Sequence, residues 1–262
     1  MIIARYLYDG QVSYGIIENE RIYPCGDPFI NPAKQTSAMD LSSVKLLAPV
    51  SSPNIICIGL NYRKHADETG LPYPAEPLIF IKTTTTICGQ GDSVLLPSHS
   101  PDQIDYEAEL AIVIGKTAKN ISEEEVADFV LGYTIANDIS NRAAQFSDVQ
   151  WARAKSYDTF CPLGPFIVTD LNCDSVNIMC RLNGRVMQAS NTSDMIFSCR
   201  QIVSYISQCM TLLPGTVILT GTPEGVGFKR NPPVFLREGQ VLETEIEGIG
   251  VLVNPVAGPE HS

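Results

Sequence analysis

The sequence predicts an α+β fold built on antiparallel or mixed sheets, with a small β-rich domain in front of the main one. Three observations carry this. Strand-like runs outnumber helical ones, the two do not alternate regularly, and the chain closes in a hairpin. A doubly wound α/β domain needs strands and helices in turn, and that rhythm is absent.

Residues 1 to about 24 alternate apolar and polar around Asp9-Gly10 and Glu18-Asn19, the pattern of a short meander. Residues 25–45, with Pro, Gly, Ser and Asn, read as a connection. The small domain is therefore set at residues 1–50 and the main domain at 51–262. Ile55 to Ile58 is a strand that breaks at Gly59-Leu60-Asn61-Tyr62, and Arg63 to Glu68 is polar and helix-compatible. Gly70 to Pro77 carries Pro72, Pro74 and Pro77, which makes it a stiff exposed loop, either a lid or a rigid connector. Leu78 to Lys82 reads as a strand and Ser93 to Leu96 as a short one. Ser122-Glu123-Glu124-Glu125 has the form of a capping box and predicts a helix to about Val130. Asn141 to Trp151 reads as helical. Thr192-Ser193-Asp194 opens the longest predicted helix, with Ile196, Cys199, Ile202, Val203 and Ile206 on one face. Thr216 to Thr220 is a strand, and Val241 to Ile246 with Val251 to Val253 forms the closing hairpin.

Composition narrows the function classes. The chain is 44% hydrophobic and 18% charged, and its net charge of −11 comes with no Lys/Arg cluster. Nucleic acid and anionic membrane are therefore poor partners. The first residues lack the apolar core of a signal peptide, and no apolar run approaches a membrane span. Eight scattered cysteines without a C-x-x-C pair read as buried thiols in a reducing compartment, which points to the cytoplasm.

The chemistry centres on Asp105-Tyr106-Glu107-Ala108-Glu109-Leu110, followed by the apolar run Ala111 to Ile114. In a strand, Glu107 and Glu109 project from one face. A second apolar run, Leu131 to Ala136, ends in Asn137-Asp138. If the two runs pair, Asp138 joins the glutamates in an all-oxygen set suited to Mg²⁺, Mn²⁺ or Ca²⁺ rather than zinc. The alternative is two exposed glutamates on a solvent-facing edge strand. His65 and Glu68, spaced i, i+3 on a helix, form a candidate base with its orienting carboxylate. Arg142 and Gln145 follow Asp138 at i+4 and i+7, where a helix would put them on its face to bind a substrate carboxylate or carbonyl. Lys155 lies nearby in the sequence. Gly221-Thr222-Pro223-Glu224-Gly225-Val226-Gly227 lacks G-K-[ST] and a following helix. It reads as a tight loop offering amides and the Thr222 hydroxyl to a small ligand, not as a nucleotide site.

Six blocks, IICIGLNYRKHADE (55–68), DYEAELAIVIG (105–115), ANDISNRAAQ (136–145), AKSYDTFCPLGP (154–165), NTSDMIF (191–197) and ILTGTPEGVG (218–227), together resemble the fumarylacetoacetate hydrolase family. The resemblance runs in order from about residue 45 to 254, and the segment KRNPPVFLREGQVLETEIEGIG (229–250) is similar to the branch with mitochondrial oxaloacetate tautomerases. It implies a pleated β-roll core with flanking helices and a homodimer. It implies a metal, Mg²⁺ or Mn²⁺, held by Glu107, Glu109 and Asp138. It also implies a His65–Glu68 dyad on a lid, Lys155 and Gln145 at the reacting carbonyls, and Thr222 at the substrate carboxylate. Leu60 stands where acylpyruvate hydrolases of the family often carry Arg.

The expected activity is divalent-metal-dependent chemistry on a small 2-oxo acid through a metal-stabilised enolate. Hydrolysis of a C–C bond in an acylpyruvate-type β-diketo acid stands first, and oxaloacetate tautomerase or decarboxylase second. A non-catalytic cation or small-acid binder would have no use for His65, Glu68 and Lys155.

Overall fold

The computed structural model describes residues 1–258. His261, one of the chain's three histidines, lies outside them. The fold is built about the strand Ala108–Ile114, whose seven side chains are all buried. Burial on both faces is the reason this stretch reads as a nearly unbroken apolar run. It pairs antiparallel with Val130–Asn137 on one side and Val217–Leu219 on the other. Ala108 stands opposite Asn137, so the two apolar runs do pair as the sequence suggested.

From this centre a twelve-stranded mixed sheet extends both ways. One arm passes through Cys161–Val168 to Ile2–Tyr8, Gln11–Glu18 and Arg21–Cys25, so the N-terminal meander continues the main sheet. Ile2 and Ile3 make that junction opposite Val168 and Ile167. The other arm runs through Ile55–Gly59, parallel to Val217–Leu219, to an edge at Leu78–Lys82. A five-stranded sheet, containing the closing hairpin Val241–Ile246 and Gly250–Ala257, covers one face. Leu110, Ile112 and Ile135 meet Ile178, Leu242 and Leu252 in the larger core cluster.

Four short helices are present among the described residues: α1 (Arg63–Thr69), α2 (Arg142–Ser147), α3 (Ala152–Lys155) and α4 (Cys199–Cys209). None is long and apolar enough to cross a membrane. Helix α4 closes the core with Ile202, Val203 and Ile206, as its spacing predicted. Its start differs. Ser198 caps it, accepting from the Gln201 amide while the Gln201 side chain accepts from the Ser198 amide. Thr192–Asp194 is a separate 3-10 turn, and the Ile196 and Phe197 amides are taken by Asn61. A helix capped at Thr192 would need those two amides for the Thr192 and Ser193 carbonyls, so their bonds to Asn61 exclude that start.

The helix expected after Ser122 is also absent, replaced by a 3-10 turn at Val126–Asp128. Half the capping box forms, Ser122 N–H to Glu125 Oε2 at 2.8 Å, but residues 122–128 bury only Val126. A segment this short with no apolar face has nothing to hold a helix. The helical reading of Asn141–Trp151 resolves into α2 and α3 with an extended break at Asp148. Six of the eight cysteines are buried, Cys209 is exposed, and all are free. Burial pushes the Cys161 thiol up to about 12, so it stays protonated and unreactive.

Candidate active site

Three buried carboxylates are gathered where two strands end. Glu109 is the second residue of strand Ala108–Ile114, and Glu107 extends the same line by one pleat. The Glu107 amide donates to Asn137 Oδ1 (2.9 Å), and the Glu107 carbonyl accepts from the Asp138 amide (2.8 Å). This ties the entrance of one strand to the exit of its neighbour. Oxygen atoms of Glu107, Glu109 and Asp138 all lie within 4.8 Å of one another.

Buried cations offset most of that charge. Lys155 Nζ donates to Glu107 Oε2 (2.8 Å) and Asp138 Oδ2 (2.6 Å), and Lys82 Nζ donates to Asp138 Oδ1 (2.5 Å). Arg142 bridges Glu107 Oε1 and Asp105 Oδ1, both at 2.6 Å. Burial alone would push the Glu107 carboxyl up, but Lys155 and Arg142 hold it well below the usual carboxylate range. The Lys155 ammonium is raised despite burial, by Asp138 and Glu107. Asp105, fully buried, is pushed up to about 6 by desolvation against the pull of Arg142.

Glu109 is the exception. It accepts one hydrogen bond, from the Gly221 amide at 2.6 Å, and meets no cation at ion-pair distance among the described residues. Burial, then Asp138 and Glu107, push its carboxyl far up. Asp105, Glu107, Glu109 and Asp138 thus face Arg142, Lys155 and Lys82, one positive charge short of balance. Every donor is a hard oxygen, and a carboxylate oxygen already bonded once keeps a second lone pair. The residues present therefore fit a divalent cation of the Mg²⁺ type.

The second group is carried by α1. His65 is buried, and its Nδ1 lies 3.3 Å from Glu68 Oε2, the contact the i, i+3 spacing predicted. Glu68 is fixed in turn by the Gly225 amide, 3.1 Å from each carboxylate oxygen. The helix is pinned by Arg63 and by the Lys64 amide to Met195 O, Asp194 O and Asp194 Oδ2. Gly70, left-handed at φ 73°, ends it and starts the proline-rich loop.

The glycine-rich loop after Leu219 spends several of its amides within the protein. Its amides hold the site's own acids: Gly221 N–H bonds Glu109, Gly225 N–H bonds Glu68, and Phe228 N–H bonds Asp105 at 2.8 Å. Gly225 has φ 96°, and a Cβ there would collide with the Met187 carbonyl. Thr222 donates to Ala108 O (3.0 Å) and accepts from Gln188 (2.9 Å), with its side chain on the cavity wall.

All the sequence-derived candidates except Glu68 and Asp138 line one cavity of about 470 Å³, and those two contact residues that do. Arg142 and Gln145 reach it by another route than the helical spacing assumed. Ser140–Asn141 pairs with Ile104–Asp105, so the helix begins only at Arg142. All three Arg142 nitrogens are engaged, Nη1 with Gln145 at 2.7 Å. Lys82 and Asp105 were not among the site residues the sequence suggested. Asp105 carried a usable signal, since D-x-E-x-E puts three acids on one face of an extended chain.

This architecture, a mixed-sheet core with a buried carboxylate centre beside a His–Glu pair, defines a class of metal-assisted enzymes. Residues 54–257 match the fumarylacetoacetate (FAA) hydrolase C-terminal family, and residues 1–49 match the Rv2993c-like N-terminal family. The chain belongs to the fumarylacetoacetate hydrolase family. It is 48% identical over 221 residues to the mitochondrial oxaloacetate tautomerase fahd2 of Xenopus laevis, covering 82% of this chain and 69% of that protein. Among solved structures it resembles 5-carboxymethyl-2-hydroxymuconate delta-isomerase from Mycobacterium smegmatis, with TM-score 0.90 and 41% identity over 98% of this chain and 100% of that one. It equally resembles 2-hydroxyhepta-2,4-diene-1,7-dioate isomerase from Mycobacterium marinum, with TM-score 0.90 and 40% identity over the whole of both chains.

Proposed function

We propose that the protein interconverts keto and enol forms of a small 2-oxo acid, with oxaloacetate as substrate. The observation that carries this is a His–Glu pair and a buried carboxylate centre opening onto one cavity. Glu107, Glu109 and Asp138 would hold Mg²⁺ or Mn²⁺, which would supply Lewis-acid stabilisation of negative charge on oxygen. The chain's own residues do the rest. Glu68 holds His65 Nδ1, which leaves Nε2 as the ring nitrogen that takes and returns the proton at C3. Lys155 brings a permanent positive charge to the side of the cavity where charge develops. Gln145, whose oxygen accepts from Arg142, turns its amide NH2 to the substrate carbonyl, and Thr222, whose proton goes to Ala108 O, lines the cavity beside it. The names of the relatives, tautomerases and isomerases, support proton transfer.

Hydrolysis of a β-diketo acid, the leading expectation from sequence, is the second reading. It is favoured by a cavity roomy enough for an acyl group and a water molecule, which His65 would activate. One experiment separates them. Protein with Mg²⁺ is given oxaloacetate, acetylpyruvate and fumarylpyruvate while enol absorbance and products are followed. Faster enol–keto exchange of oxaloacetate, without new carbon fragments, is expected. Pyruvate released from the diketo acids would favour hydrolysis, and no metal-dependent change with any of the three would sink both.

The protein is proposed to work as a homodimer, as the family resemblance implies. Light scattering should then give the mass of two chains, and a single-chain mass at micromolar concentration would overturn it.

A further inference from the structure

The carboxylates and lysines account for only part of the cavity. Beside the polar His65, Thr69, Gln145 and Thr222, one stretch of the wall is apolar, with Leu60, Leu71, Leu78, Phe80, Phe146 and Trp151 on it. Phe80 and Trp151 meet edge to face at 5.4 Å, and Phe146 meets Phe228 at 5.6 Å. Leu71, Leu78 and Phe146 leave 54%, 46% and 67% of their surface open to solvent. Apolar side chains lining a concave site are what ligand pockets use to bind apolar groups. A four-carbon dicarboxylate such as oxaloacetate has no apolar group to place against them.

Leu60 makes the case sharper. Its φ is +54°, a left-handed conformation that a branched side chain adopts at a cost. Asn61 imposes that conformation. Its Nδ2 donates to Thr220 O (2.7 Å) and Phe197 O (3.1 Å), and its Oδ1 accepts from the Phe197 amide (2.8 Å). Glycine or asparagine would occupy the position with less strain. The half-buried leucine there presents an apolar side chain to the cavity, where an apolar group of a substrate would meet it. Charge points the same way. The cavity's Arg142 and Lys155 are committed to carboxylates of the chain, and Lys229, exposed at the rim, is the lining cation with no carboxylate partner among the described residues. That leaves one cation for a second substrate carboxylate against eight apolar side chains, Ile58 and Phe228 included.

We infer that this wall is a side-chain subsite, and that the protein also interconverts enol and keto forms of 2-oxo acids bearing an aryl or branched alkyl group. Phenylpyruvate is the simplest aryl case. The inference rests on the proton-transfer reading above and extends its substrate class. The step balances without a co-reactant. The enol O–H proton leaves, the C2–C3 π pair takes a proton at C3, and the oxygen's electron pair closes the C2 carbonyl. Nothing is oxidised or reduced.

The test uses the full chain with Mg²⁺ and follows decay of enol phenylpyruvate and enol oxaloacetate in parallel. Wild-type protein should accelerate both above buffer. Leu60→Asn suits the left-handed backbone, so an unchanged melting curve is expected, yet it removes the apolar contact. It should lower kcat/KM for phenylpyruvate relative to oxaloacetate by about 10- to 100-fold, the usual range for lost apolar pocket contact. Leu60→Met should keep the wild-type ratio. Turnover of oxaloacetate with phenylpyruvate no faster than in buffer would overturn the subsite and leave the proton-transfer reading standing. So would a ratio unmoved in Leu60→Asn. Turnover of neither acid would overturn both.

Discussion

Stripping divalent metal with EDTA is expected to abolish oxaloacetate tautomerisation, and Mg²⁺ or Mn²⁺ to restore it. The reason lies in Glu109. Glu107 and Asp138 each have both oxygens matched to cations of the chain, whereas Glu109 has one backbone amide. A buried carboxylate without a counter-charge is costly, and an added cation relieves that cost only when bound. Glu109→Gln separates this charge from its shape. The amide oxygen can still accept from Gly221 N–H, but the uncompensated charge is gone. Losing a partner that merely orients a metal ligand costs about 10- to 100-fold, so losing a ligand should cost at least about 100-fold in turnover. In the absence of metal the variant should melt at or above wild type. Only wild type should gain from Mg²⁺, by about 2.7 kcal/mol at a hundred times Kd. Full activity in excess EDTA, or equal Mg²⁺ stabilisation of both proteins, would defeat the three-carboxylate centre.

The site was legible in the sequence because its frame is a strand buried on both faces. Ala108 to Ile114 announces itself by unbroken hydrophobicity, and strand alternation then fixes Glu107 and Glu109 on one side without any tertiary information. Asp138 followed once a second apolar run ended in an acid. Lys82 could not be found this way. It closes the strand Leu78–Lys82, like many solvated lysines, and only the path through Ile55–Gly59 brings it to Asp138. Helix starts failed for a related reason. Thr192-Ser193-Asp194 and Ser198 both offer caps, and the choice was made by Asn61, more than 130 residues away in the chain.

The strands between Cys161 and Asn191 were missed for two different reasons. Cys161–Val168 contains Pro162, Gly164 and Pro165, residues that locally argue for a loop. It is a strand because neighbours on both sides, at Ala136 and at Ile3, supply its ladder. Asn177–Leu182 and Arg185–Asn191, by contrast, flank Asn183-Gly184, a strong hairpin signal that was available. The first was hidden by tertiary override of local propensity, the second only overlooked.

His65→Ala is expected to lower oxaloacetate tautomerisation by about 10²- to 10⁴-fold, the range for removing a positioned general base. Metal binding should survive, since Glu107, Glu109 and Asp138 are untouched, and the Mg²⁺-dependent rise in melting temperature should match wild type. Decarboxylation of oxaloacetate offers an internal control. Loss of CO₂ leaves its electron pair on the substrate and needs positive charge to receive it, not a base to collect a proton. The His65→Ala protein should therefore keep most of whatever decarboxylase activity wild type has. Lys155→Met should damage both reactions, because its ammonium joins Glu107 and Asp138 and adds charge beside either enolate. Glu68→Gln should fall between, because His65 keeps its ring but loses the carboxylate 3.3 Å from Nδ1. If His65→Ala suppresses tautomerisation and decarboxylation equally, the histidine shapes or closes the cavity through α1, and its role as proton carrier is wrong.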